Sequence, residues 1–146
     1  MAVPSIRQAR PEDLPALQEL LSVCGLPLDG VSDRPRMFLT AHDSDLLAGC
    51  VGIEQCGTDG LLRSLAVHPR HRGQGLGARL TRRALRRARR LGLRRVFLLT
   101  ETAPEYFLRF QFRRVARKDA PVAVQASVEF TAACPATAVC MERTLG

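Results

Sequence analysis

The chain contains no tryptophan and one tyrosine, Tyr106, and its only lysine is Lys118. With so few aromatic rings, a nucleic-acid binder built on base-stacking platforms is disfavoured. No stretch approaches the roughly 20 apolar residues of a membrane span. The N-terminal MAVPSIRQAR has no apolar run of the secretory kind, so a cytoplasmic protein is expected. Cys24, Cys50, Cys56, Cys134 and Cys140 show no Cys-x-x-Cys spacing. They read as reduced, mostly buried thiols, and no metal site is expected. Acidic residues are missing from Gly60 to Thr100, where arginine recurs twelve times.

A length of 146 residues suits a single domain, 1–146, with a real core. The formal charge is +8, carried almost wholly by arginine. Such a balance suggests anionic partners, with a few arginines serving phosphates and most facing solvent. Ser5 to Ala9 alternates as a first strand. Pro11, Glu12 and Asp13 open a helix whose apolar face is Leu14, Leu17, Leu20 and Leu21, and Gly25 and Pro27 end it. Leu28 to Pro35 reads as irregular. Arg36 to Ala41 and Leu46 to Gln55 read as strands joined through His42 to Asp45. Thr58, Asp59 and Gly60 read as a hairpin turn on the Asp-Gly pair. Arg94 to Thr100 is an apolar strand, expected parallel to Leu61–Val67 through a right-handed crossover. Thr102 to Phe110 reads as a short helix, and Phe112 to Ala116 and Val139 to Thr144 as the last strands. Asp119 to Ala138 offers turn-like breaks around the run QASVEFTAACPATA. The fold class is α/β (α+β), a mixed, mostly antiparallel sheet flanked by helices.

The densest signal is Leu61 to Leu91, LLRSLAVHPRHRGQGLGARLTRRALRRARRL. An alternating strand to Val67 is followed by a Pro- and Gly-bearing turn. A helical pattern comes next, with Leu76, Leu80, Ala84, Leu85, Ala88 and Leu91 on one face and arginines opposite. Gly73, Gly75 and Gly77 let the backbone curl and leave its amides uncovered. Those amides lie at a helix N-terminus, where the dipole favours negative charge. Strand, Gly-rich turn and helix in this order make a phosphate cradle, so a ligand with a pyrophosphate is expected. A Walker loop is excluded because no Gly-Lys-Ser/Thr is present. The dinucleotide fingerprint needs Gly-x-Gly-x-x-Gly, which glycines at 73, 75 and 77 do not meet.

The pattern that fits is Arg/Gln-x-x-Gly-x-Gly/Ala, met by Arg72, Gly75 and Gly77 after the lead-in LAVHPRHRG. It resembles the acetyl-CoA loop of the GNAT superfamily of N-acetyltransferases. The resemblance implies a sheet splayed at its central parallel strand pair, acetyl-CoA as cosubstrate and a small amine as acceptor. It assigns the pyrophosphate to Arg72, Gly73, Gln74, Gly75, Leu76, Gly77 and Ala78. It assigns the pantetheine arm to the main chain of Leu65, Ala66 and Val67. Acetylating an amine requires removing the ammonium proton, stabilising an oxyanion and protonating a thiolate. Glu54, ending the strand before the hairpin, is the candidate base. Ser64 and Arg63 point to opposite faces of the next strand. Ser64 is a candidate catalytic group, and Arg63 could grip an anionic acceptor bidentately. Glu101 is a second acceptor-side candidate. The family's general-acid tyrosine stands five residues before the Phe of a Gly-Phe pair. Here that place is Phe107, Gln111 replaces the glycine, and Phe112 is the matching Phe. Tyr106 is one residue early, about 100° around a helix; it is the candidate acid by a register shift, with water as the alternative.

GLLRSLAV (60–67), LLTETAPEYF (98–107) and VEFTAACPATAVCM (128–141) further resemble a GNAT branch associated with arsenic-resistance operons. That implies an acceptor both amine and anion, such as an amino-acid-like arsenical or phosphinate. Cys134 and Cys140 read as structural thiols rather than arsenic ligands. A homodimer is expected from the resemblance. Two rival readings stand beside this one. A GNAT module could bind acyl-CoA without catalysis, which Phe107 leaves open. A basic nucleic-acid binder would show steeply salt-dependent binding to DNA.

Overall fold

The computed structural model describes residues 3–146. Its strands are β1 Ser5–Gln8, β2 Phe38–Asp43, β3 Leu46–Cys56, β4 Asp59–Val67, β5 Arg95–Thr100, β6 Arg113–Val115 and β7 Val139–Thr144. They form one seven-stranded sheet in the order β1-β2-β3-β4-β5-β7-β6. The β4–β5 pair is parallel, as the crossover rule predicts. Pairs β1–β2, β2–β3, β5–β7 and β6–β7 are antiparallel. The α-helices are α1 Leu14–Val23, α2 Leu76–Arg90, α3 Pro104–Leu108 and α4 Val122–Gln125. The chain divides into two compact units: residues up to Gly52 together with Ser64–Ala84, and Ile53–Arg63 together with Leu85–Gly146.

In the first unit a 3-10 turn, Pro11–Asp13, leads into α1. The Asp13 carboxylate accepts from Arg7 at 2.8 Å and from the Arg10 amide at 2.7 Å. The Arg7 guanidinium holds the Asp13 carboxyl below its ordinary range. Leu17, Leu20 and Leu21, at helical spacing, are buried with Phe38, Leu47, Cys50 and Ala66. The chain leaves α1 through Gly25 at φ +70, and the Leu26 amide closes on the Leu21 carbonyl at 2.9 Å. Gly49 lets α2 approach β3. A Cβ there would stand 2.9 Å from both the Ala66 carbonyl oxygen and Leu80 Cδ1.

In the second unit Leu61, Phe97, Val124, Phe130 and Cys140 form the core cluster. Several expected boundaries move. The hairpin turn falls on Gly57 and Thr58, because Gly57 takes the positive φ of +66. Asp59 lies in β4 instead, buried, with Oδ1 3.2 Å from Arg95 Nε. The helix ends at Arg90, and Gly92 at φ +76 lets the Leu93 amide bond the Ala88 carbonyl at 3.1 Å. Leu91 therefore falls beyond the apolar face and is exposed. In the first unit, His42 and Asp43 belong to β2, leaving Ser44 and Asp45 as the turn. The stretch after Asp119 contains α4 and a π-helical turn, Glu129–Ala133.

Candidate active site

The cradle lies in the first unit. Within β4, Ser64 sits at φ +58, a left-handed conformation costing a non-glycine residue about 1–2 kcal/mol. The Cys50 thiol donates to its carbonyl at 3.3 Å. The strand ends at Val67, and the His68 amide then donates to the Ala48 carbonyl at 2.7 Å. A 3-10 turn, Pro69–His71, follows. Inside it His68 Nδ1 accepts from the Arg70 amide at 3.1 Å, and the buried His71 sets Nε2 2.9 Å from Asp43 Oδ2.

These contacts deliver an exposed stretch, Arg72 to Gly75. Gly73 and Gly75 both hold φ +80. A Cβ on either would meet nothing within 4 Å, so conformation and not crowding calls for glycine. The 15-residue α2 begins at Leu76 with no acid in its first turn. By helix geometry the amides of Leu76, Gly77 and Ala78 have no intrahelical acceptor. Open space, uncovered amides and a positive helix end fit a pyrophosphate. Arg72 folds back on β4: Nε donates to the Val67 carbonyl at 3.1 Å and Nη2 lies 3.6 Å from Cys24 Sγ. The Cys24 thiol also reaches that carbonyl, at 3.6 Å. Arg72 thus braces the loop, and one carbonyl of Leu65–Val67 is taken by the protein's own side chains.

A different arrangement occupies the second unit. Glu54 is half-buried near the end of β3, and the Arg63 side chain on β4 is wholly buried. Arg63 Nη1 stands 3.8 Å from Glu54 Oε1, and Nη2 3.2 Å from Glu129 Oε1. Glu129 opens the π-helical turn, where the Cys134 amide bonds its carbonyl at 3.1 Å. The same turn brings the Cys134 thiol to Glu129 Oε2 at 3.0 Å. Burial, and then the Glu129 carboxylate, push that thiol from the ordinary 9.0 up to about 12. Exposed Glu101 adds to the same effect through its charge. The Arg63 cation is thus balanced by carboxylates of the chain itself. Sequence reasoning passed over Glu129. Its signal was isolation, since no other charged residue stands between Asp119 and Glu142.

Tyr106 is half-buried on α3, its ring centroid 5.2 Å from those of Phe107 and Phe110, with the Arg109 guanidinium 5.4 Å away. Phe107 is buried edge-on to Phe112 at 5.8 Å. Gln111 holds φ +66, a conformation that glycine adopts without strain. Among the described residues, no group of three or more His, Cys, Asp or Glu could hold a metal ion, and no helix is long and apolar enough to cross a membrane.

Comparison with known proteins bears on the family and the fold. An amino-acid acetyltransferase of Mycobacterium tuberculosis is 33% identical over 123 residues, covering 77% of this chain and 70% of that protein. A crystal structure from Mycobacterium tuberculosis, in complex with CoA and NLQ, matches with a TM-score of 0.82 at 26% identity, over 97% of this chain and 99% of that one. N-acetylglutamate synthase from Neisseria gonorrhoeae, complexed with coenzyme A and N-acetyl-glutamate, gives 0.85 at 24% identity; it matches 100% of this chain and 36% of its own, a likeness of fold. Residues 5–110 match the Acetyltransferase (GNAT) family. With its cradle and mixed sheet, the chain belongs to the GNAT family of acetyltransferases and uses acetyl-CoA as cosubstrate.

Proposed function

We propose that this protein transfers the acetyl group of acetyl-CoA to the α-amine of a small amino acid. The observation that carries the acceptor class is the 33% identity to an amino-acid acetyltransferase over 77% of the chain. In this reading Arg72 to Ala78 hold the pyrophosphate, and the main chain of Leu65, Ala66 and Val67 lies along the pantetheine arm. Glu54 accepts the ammonium proton, which its half-burial and its place near the end of β3 support. Ser64 and Tyr106 offer hydroxyls to the oxyanion and the leaving thiolate. An amino-acid-like arsenical or phosphinate, implied by the sequence resemblance, carries an amine beside an anion and falls in the same acceptor class.

The test is thiol release from acetyl-CoA across a panel of L-amino acids, a phosphinate amino acid and simple amines without an acid group. Release is expected with the amino acids and not with the simple amines. Saturable stabilisation by acetyl-CoA with no release from any acceptor would instead establish the silent acyl-CoA module that Phe107, in place of the acid tyrosine, favours.

A further inference from the structure

We propose that Glu129 is a positioning residue which, through Arg63, sets how much positive charge reaches Glu54. The proposal rests on the reading of Glu54 as base. It starts from three side chains in a row, two carboxylates flanking one buried guanidinium. The Glu129 contact, at 3.2 Å, is the shorter. The Glu54 contact, at 3.8 Å, is beyond hydrogen-bond length and acts through charge. Glu129 is itself fixed through both oxygens, Oε1 by Arg63 and Oε2 by the Cys134 thiol at 3.0 Å. The π-helical turn supplies that geometry, because the amide of Cys134 closes on the carbonyl five residues back. Such turns are rare and concentrate at functional sites.

The chemistry gives the arrangement a purpose. A carboxylate facing an undivided, buried arginine is a poor proton acceptor, since the cation favours its charged form. A second carboxylate on the same guanidinium divides that attraction. Glu54 then faces a cation that Glu129 already shares. Arg63 on β4 faces Glu54, and so does the Cys56 thiol on its own strand, 4.0 Å from Oε2. Glu129 and Cys134 act behind Arg63. The sign follows. Removing the Glu129 charge strengthens the hold of Arg63 on ionised Glu54, so the Glu54 titration midpoint falls.

The experiment is carbon NMR of protein carrying glutamate labelled at the side-chain carboxyl, titrated in the wild type, Glu129→Gln and Glu129→Asp. The expected result is a lower Glu54 midpoint in Glu129→Gln than in the wild type, with a smaller fall in Glu129→Asp. Midpoints equal to the wild type would overturn the proposal. Should Glu129→Gln fail to fold, Glu129→Asp decides alone. A parallel reading of kcat/KM against pH, with the amino acid that the panel selects, separates the two ideas. If the midpoint falls and the acid limb follows it, both stand. If the midpoint falls and the limb does not move, the Glu129 inference stands and the base role of Glu54 is lost.

Discussion

Arg72 and Arg63 use the same charge in opposite ways. Arg72 is exposed, braced on a carbonyl and a thiol, beside a loop of uncovered amides. Arg63 is buried and flanked by Glu54 and Glu129. An exposed cation costs little to keep unneutralised in water, so it remains available to an anionic ligand that comes and goes. A buried cation is costly without a counter-charge, so the fold must provide one. The first arrangement suits a cofactor that exchanges at every turnover, and the second suits a group that must keep one position throughout.

Of the two arginines, Arg63 is the one the fold can least do without. Arg63→Met leaves two carboxylates near one another with no cation, and the expected loss is about 3–5 kcal/mol, read from urea unfolding. A loss below roughly 1 kcal/mol would mean that the two carboxylates are solvated well enough to do without Arg63. Arg72→Glu should move unfolding by no more than about 0.5 kcal/mol, as exposed sites generally do. It should weaken acetyl-CoA by about ten- to a hundredfold in calorimetric titration, the scale of a lost charged hydrogen bond of about 1.5–3 kcal/mol. Unchanged affinity would assign Arg72 to bracing alone.

The thiols sharpen the contrast through pH. Burial pushes Cys50, in the first unit, from 9.0 up to about 12, and Cys140, in the second, up to about 11. Cys134 is also raised to about 12, by burial and then by Glu129. Each folded thiol holds its proton more tightly than the unfolded chain does. Their contribution is therefore complete below about pH 9 and is lost as pH climbs toward 12. Urea midpoints should be level from pH 7 to 8.5 and fall by pH 10.5. Cys134→Ala should fall less steeply than the wild type, and an equal slope would remove Cys134 from the account.

What could be read from the sequence divides along the same line. The cradle is local: Arg72, Gly75 and Gly77 lie within six residues, and the left-handed turns at Gly73 and Gly75 follow from that window, while Gly77, expected in the curl, lies inside α2. The parallel pairing of β4 with β5 was legible for a related reason, because a strand–helix–strand crossover leaves few topologies, whereas the place of β7 between β5 and β6 was not read. The Asp-Gly pair at Asp59 misled, since the positive φ went to Gly57 and a long-range partner, Arg95, drew Asp59 into the strand. The Arg63 cluster joins positions 54, 63, 129 and 134, and no spacing rule links them. Glu129 lies on a π-helical turn, which leaves little periodic signature, so its pairing with Arg63 emerges only when the chain is folded.

Gln111 supplies the smallest effect and a last contrast between the two units. In the first unit, Gly73 and Gly75 meet left-handed backbone with glycine. In the second, Gln111 carries φ +66 with its own side chain, just before buried Phe112. The left-handed cost of about 1–2 kcal/mol should be relieved by Gln111→Gly. Glycine's greater freedom in the unfolded chain takes back about 0.5–1 kcal/mol. The net expectation is a gain of roughly 0.5–1 kcal/mol, seen as a rise in Tm of about 1–4 °C. Gln111→Ala keeps a Cβ and should give no such rise. A rise in the alanine variant as well would mean that the glutamine side chain, and not the backbone, is what the site bears at a cost.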